Sequence, residues 1–178
     1  FGSIGFGGFF AVYTYVAPLV TDVAGLAESV VPWALVCVGV GMTVGNFVGG
    51  VLADRGSLRA VLRMFPVFIL AMAGLALTAS TAVTLFLFLF LVGALASAIS
   101  PAIQTRLMDV AGESQTLAAA LNHSALNIGN SMGAALGAAV ISAGLGFVAP
   151  SWVGVGLAVA GLLLALTSLA VERRSVRG

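Results

Sequence analysis

Three polar residues in the last third of the chain are spaced so that they share one face of a helix. His123, Asn127 and Asn130 follow an i, i+4, i+7 pattern inside a run that is otherwise apolar or small. An unpaired amide is costly in hydrocarbon, so such a stripe either lines a polar cavity or hydrogen-bonds neighbouring helices. His123 is the single imidazole of the chain, and it is either an interfacial or structural residue or a proton carrier.

The residue patterns that most enzymes need do not occur in the sequence. It has no carboxylate pair, no metal-ligand cluster, no Gly-x-Ser-x-Gly elbow and no P-loop in a suitable context. We therefore expect no catalytic residue, no metal and no cofactor. The alternative is an intramembrane enzyme that modifies lipids, for which only His123 with Ser124 or Ser97 offers a base and a nucleophile.

A further candidate for the cavity lies within a row of glycines. Gly41, Gly45 and Gly49 recur every four residues, which on a helix forms a smooth face for close packing against another helix. Asn46 lies beside this face, and we expect its amide to point into protein or into a water-filled cavity. Tyr15, in the first apolar run, is either an interfacial anchor or part of a cavity mouth.

The glycine row is repeated later in the chain. Residues 44–50 align at an offset of 84 with residues 128–134, and both segments read aliphatic-Gly-Asn-x-x-Gly-small. The pattern predicts a second packing face, formed by Gly129, Gly133 and Gly137. Two inverted units of three helices are typical of transporters, whose substrate sites lie near mid-membrane between the repeats.

Composition identifies the lipid bilayer as the solvent of this chain. Hydrophobic residues make up 61% of its 178 residues and charged residues only 7%, which excludes an ordinary soluble domain. A net charge of +1 with no lysine also argues against a nucleic-acid partner.

The predicted fold is all-α, a polytopic membrane protein with six transmembrane helices arranged as two inverted three-helix repeats. The predicted spans cover about residues 1–21, 30–53, 62–80, 82–104, 116–143 and 150–171. With six spans all seven arginines fall on one side, which the positive-inside rule makes cytoplasmic, so both ends of the chain are predicted to be cytoplasmic. Because the chain begins at Phe1 and not at methionine, we expect further residues upstream. The alternative is a complete six-span protein that pairs with a copy of itself.

The turn after the first glycine row resembles a known loop signature. Residues 49–59 are similar to the sequence G-x-x-x-D-R-x-G-R-R found between helices eight and nine of the major facilitator superfamily. Gly50, Asp54, Arg55 and Arg59 match this signature, whereas its second glycine is displaced to Gly56. The resemblance implies that these four matching residues form a cytoplasmic gating loop.

Three further segments, residues 13–18, 45–50 and 127–133, are similar to the bacterial branch of drug:proton antiporters and sugar-efflux proteins. The resemblance implies helices seven to twelve of a carrier that works by alternating access in the inner membrane. Its partners would be a small-molecule substrate, protons and an N-terminal six-helix half of the same protein. The candidates for the substrate cavity are Tyr15, Asn46, His123, Asn127 and Asn130. No Asp or Glu lies inside a predicted span, so proton coupling follows from the resemblance alone.

Overall fold

The computed structural model describes residues 2–54, 56–112 and 114–175, and this part of the chain is almost wholly helical. Its α-helices are α1 (Gly2–Tyr13), α2 (Val16–Pro18), α3 (Val31–Asp54), α4 (Ser57–Thr78), α5 (Ala82–Ala111), α6 (Gln115–Ser142) and α7 (Ala149–Ser175). A π-helical turn, Leu19–Val23, continues α2, and a 3₁₀ turn, Glu28–Val30, leads into α3. Among the described residues, the five helices α3 to α7 are each long and apolar enough to cross a membrane.

The first span is bent, which differs from the single run predicted for residues 1–21. Ile4–Tyr13 and Val16–Val23 meet at an angle of 50°, and together they form a sixth span. The physical reason is Pro18, because a proline has no amide hydrogen to donate to the carbonyl four residues earlier and its ring crowds that carbonyl. The six-helix half predicted from the sequence is therefore confirmed, with its first helix broken.

Helix packing follows a two-fold pattern. The most extensive contacts join α3 with α5 and α1 with α6, and the next join α4 with α5 and α1 with α7. If the first three spans are exchanged for the last three, the α3–α5 pair becomes the α1–α6 pair and the α4–α5 pair becomes the α1–α7 pair. The α4–α7 pair is unchanged. This is the packing that two related three-helix units require.

The apolar core is centred on α4. Phe65, Phe68, Met72 and Leu75 of this helix are almost completely buried. Two glycines make room for the Phe65 ring, because a Cβ on Gly5 would lie 2.6 Å from its Cζ atom and one on Gly161 would lie 3.3 Å from its Cε1 atom. Burying α4 leaves α3 and α6 on the outside. Only 22% of the most apolar stretch of α3 and 17% of that of α6 are buried.

Tight turns join the long helices. Gly56 precedes α4 with φ 135° and Gly112 follows α5 with φ 52°, conformations that residues with a Cβ seldom adopt. Residues 79–81, of which Ser80 and Thr81 are polar, lie between α4 and α5. Such short connections require consecutive spans to run in opposite directions.

Candidate functional site

Helix α6 packs through a narrow face of glycines. Gly129, Gly133 and Gly137 are buried, and a Cβ built on Gly133 would collide with the carbonyl oxygen of Gly7 on α1. The backbones of α1 and α6 therefore lie in direct contact, which only glycine permits at this position. Outside this face, α6 makes only smaller contacts, with α7 and α5.

The two sides of α6 next to this glycine face differ in chemistry. A helix turns by about 100° per residue, so on one side lies what we call the polar flank, formed by exposed residues Thr116, His123, Ser124, Asn127, Asn130 and Ser131. On the other side lies an apolar flank, formed by exposed residues Leu117, Leu121, Ile128 and Leu136. Hydrocarbon solvates leucine and isoleucine well but amides poorly, so only the apolar flank suits lipid.

The same arrangement occurs on α3. Gly41, Gly45 and Gly49 are buried, and Cβ atoms built on them would meet the backbones of Phe90, Ala94 and Ala98 on α5. Exposed Asn46 stands in the same position relative to Gly49 as Asn130 does relative to Gly133. Val40, Val44, Val48 and Val51 form the apolar flank of α3. On α3 the exposed amide of Asn46 thus lies on the side of the glycine face away from these valines.

Tyr15 is the candidate that the fold brings closest to the polar flank. Its hydroxyl donates a hydrogen bond of 2.8 Å to the carbonyl oxygen of Ala134, one turn beyond Asn130. Its ring occupies the space beside Gly137, where a Cβ would lie 3.0 Å from the Cδ2 atom. Asn46 lies on a different helix, α3, whose main contacts are with α5.

Asn122 is not among the residues predicted to line the cavity, and the structure gives it a different environment from its neighbours. This side chain is only 8% exposed, whereas His123 and Asn127 are exposed. Asn122 lies seven residues before Gly129, or about two turns, and therefore on the packed glycine face. Its spacing from the glycine row is the sequence signal that separates it from the exposed stripe.

The described hydroxyl groups near His123 do not form a nucleophile–base pair with it. Ser124 donates its hydroxyl hydrogen to the carbonyl of Ala120 on its own helix, at 3.0 Å. Ser97 is buried on α5. In the same described part of the chain, no group of three or more His, Cys, Asp or Glu residues is placed to hold a metal ion.

The predicted gating loop is only partly visible in the structure. Gly50 is partly exposed on α3, and a Cβ there would meet nothing within 4 Å. Asp54 is the exposed last residue of α3, and Arg59 is exposed in the first turn of α4. Arg55 lies outside the described residues. The gating role of these four residues stays a prediction.

Comparison with known proteins gives the same family over the whole chain. The family model described as Major Facilitator Superfamily matches residues 1–177. The inner membrane transport protein YdhP of Escherichia coli K12 is 39% identical over 176 residues, which are 96% of this chain and 43% of that protein. The chloramphenicol resistance protein of Streptomyces lividans is 34% identical over 155 residues, which are 87% of this chain and 39% of that protein. The chain therefore spans less than half the length of these relatives.

Proposed function

The chain belongs to the Major Facilitator Superfamily, and from that premise we propose that it forms the C-terminal six-helix half of a proton-coupled efflux transporter. It is a multi-pass membrane protein of a transporter family. Its proposed substrates are drugs or other small, neutral or amphipathic compounds, sugars included. The proposed location is the inner membrane, with both ends of the chain cytoplasmic.

The observation that carries this proposal is the polar flank of α6. Asn127, Asn130 and His123 are exposed on a helix whose opposite flank is apolar. Asn46 repeats this arrangement on the related helix α3. Amides in the middle of a span need a protein or water partner, and a second six-helix half facing α3 and α6 would enclose a water-filled cavity there. The relatives are long enough to contain such a half.

The chemistry of this flank favours an uncharged substrate. Amides and hydroxyls can donate or accept hydrogen bonds without a fixed charge. A strongly anionic substrate would favour arginine deep inside the membrane, whereas six of the seven arginines lie outside the predicted spans and Arg63 lies at the very start of the span 62–80. A coupling carboxylate would have to come from the other half, because no predicted span of this sequence contains Asp or Glu.

In the proposed cycle, α3 and α6 move as parts of a rigid bundle. Their glycine faces hold them directly against the backbones of α5 and α1, so each packed pair moves as a unit. Alternating access then exposes the cavity between the halves to one side of the membrane at a time. The proposed gating loop on the cytoplasmic side in this cycle is formed by Gly50, Asp54, Arg55 and Arg59.

Transport by the full-length protein in proteoliposomes tests the proposal. Chloramphenicol, a neutral amphipathic compound, is the probe because a relative is named for resistance to it. We expect uptake into the vesicles when a proton gradient is imposed with the lumen acidic, and loss of uptake when nigericin collapses the gradient. Equal uptake with and without the proton gradient would contradict proton coupling. Chemical conversion of the vesicle lipids without any transport would favour the enzyme alternative.

A further inference from the structure

The bend in the first span is located by its backbone hydrogen bonds. Three N–H groups donate to backbone carbonyl oxygens here: Tyr15 to Val12 at 3.0 Å, Leu19 to Tyr15 at 3.2 Å and Ala24 to Leu19 at 3.0 Å. The separation between donor and acceptor therefore changes from three residues to four and then to five. Pro18 has no N–H for the carbonyl of Thr14, four residues earlier. The helical ladder is therefore weakest next to Tyr15.

The part of the span beyond this bend, residues 16–23, is held differently on its two sides. We call it the outer segment. On one side, Val16, Leu19 and Val20 are buried in the apolar core, in contacts that have no preferred direction as hydrogen bonds do. On its other side lies an open cleft of about 540 Å³, lined by Ala17, Pro18, Thr21, Glu28, Val31 and Pro32. The cleft separates the outer segment from the first turn of α3.

Two hydrogen bonds restrain the outer segment. Near its far end, Leu26 N–H donates to the carbonyl oxygen of Val20 at 3.0 Å, and at the bend a side-chain contact ties Tyr15, the residue before the segment, to α6. The Tyr15 hydroxyl donates to the Ala134 carbonyl at 2.8 Å across 119 residues of sequence. The absence of a side chain at Gly137 lets the Tyr15 ring reach this position. The acceptor lies on the polar flank side of α6, next to Asn130, so the contact links the bend to the proposed substrate surface.

We propose that Tyr15 is a positioning residue, a latch that sets the angle of the outer segment and thereby the width of the cleft. Only the expected effect of the latch on transport rests on the proposed transport function. With the latch formed, as in the structure, the cleft between the outer segment and the first turn of α3 is open. With the latch broken, the segment turns about the Thr14–Pro18 break towards α3 and the cleft narrows. In this role the Tyr15 hydroxyl is occupied by Ala134 and does not bind substrate.

Disulfide formation across the cleft tests the latch. The reporter is the full-length protein without native cysteines, so with Cys37→Ala, carrying Ala17→Cys and Pro32→Cys on facing sides of the cleft. Adding Tyr15→Phe removes the hydroxyl and keeps the ring. We expect the oxidant-driven cross-linking rate to rise about 2- to 10-fold, the change in an equilibrium that corresponds to one neutral hydrogen bond.

Two matched variants make the result specific. Tyr13→Phe removes the hydroxyl of an exposed tyrosine that stacks on Phe9 at 5.4 Å, before the bend, and we expect no change in the rate. Gly137→Ala puts a Cβ against the Tyr15 ring and is expected to raise the rate as Tyr15→Phe does. Its control is Gly156→Ala on α7, where a Cβ meets nothing within 4 Å. Monodisperse elution of each variant in detergent shows that it is folded.

The outcomes separate the latch from the transport proposal. An unchanged or slower cross-linking rate in Tyr15→Phe would overturn the latch, and transport could still be intact. A faster rate in a protein that transports nothing would support the latch and count against the proposed function. Where transport occurs, Tyr15→Phe should change turnover and leave the substrate Kd unchanged. A weakened Kd with an unchanged cross-linking rate would instead make Tyr15 a substrate contact and overturn the latch.

Discussion

Individual polar residues on α6 have environments that depend on their angle to the glycine face. Asn122 lies on that face and is buried, whereas Asn127, five residues later, lies on the polar flank and is exposed. The same side-chain type can therefore serve packing at one position and face a cavity at the other. Exposure on the polar flank is what distinguishes a candidate substrate contact here.

Asn127→Ala tests the assignment at the scale of one residue. We expect it to weaken binding of a neutral substrate by the full-length protein about 2- to 10-fold, because one hydrogen bond to the amide is lost. Ile128→Ala is the matched control, since Ile128 is the next residue, is 61% exposed and lies on the apolar flank. Quenching of tryptophan fluorescence in the purified protein gives Kd for each. Equal losses in the two variants would remove Asn127 from the proposed site.

At the scale of helices, the glycines of α3 differ in what surrounds them. A Cβ on Gly45 would collide with the carbonyl of Ala94, whereas one on Gly39 of the same helix would meet nothing within 4 Å. Backbone cannot move aside as a flexible side chain can. Close approach of α3 to α5 therefore depends on Gly45 and not on Gly39.

Paired alanine substitutions test this difference. Gly45→Ala should force α3 away from α5 and destabilise the protein by about 1–3 kcal/mol, the usual cost of overpacking. Gly39→Ala should be neutral or stabilising by up to about 1 kcal/mol, because alanine favours helix more than glycine does. Thermal unfolding, followed by the fraction that still elutes as a single species after heating, reports both. Similar melting temperatures for the two variants would contradict the packing described for α3.

At the scale of the whole molecule, the described arginines lie at one end of the bundle. Arg59 and Arg63 lie near the start of α4 and Arg106 lies near the end of α5, so these arginines share one end. Asp22 and Glu28 lie at the opposite end, between the first span and α3. Positive charge is retained on the cytoplasmic side during insertion, so the arginine end is predicted to face the cytoplasm.

Fusions to alkaline phosphatase, which is active only outside the cytoplasm, test this orientation. We expect high activity when the full-length protein is truncated and fused after Gly25, and low activity when it is fused after Gly112. Fusion of green fluorescent protein at the same two positions is the complementary control, because it fluoresces after cytoplasmic folding. The opposite pattern of activity and fluorescence would reverse the orientation proposed for this half.

The sequence by itself determined the six spans, though not the break in the first, and the glycine faces on which helices pack. A span is recognised from its length and hydropathy, and a glycine face from a spacing of four residues, and both depend on residues within one helix. The same holds for the Asn46 and Asn130 repeat, which indicates two related three-helix units. These features are local, so one sequence is enough to find them.

Only the tertiary structure decided which surfaces meet. The pairing of α3 with α5, and not mainly with its neighbour α4, and the bond from Tyr15 to Ala134 each join residues far apart in the chain. Many partners satisfy a glycine face or a tyrosine hydroxyl equally well in isolation. The choice among them depends on how all the helices fill space together, because a position in a packed core is available to one side chain at a time.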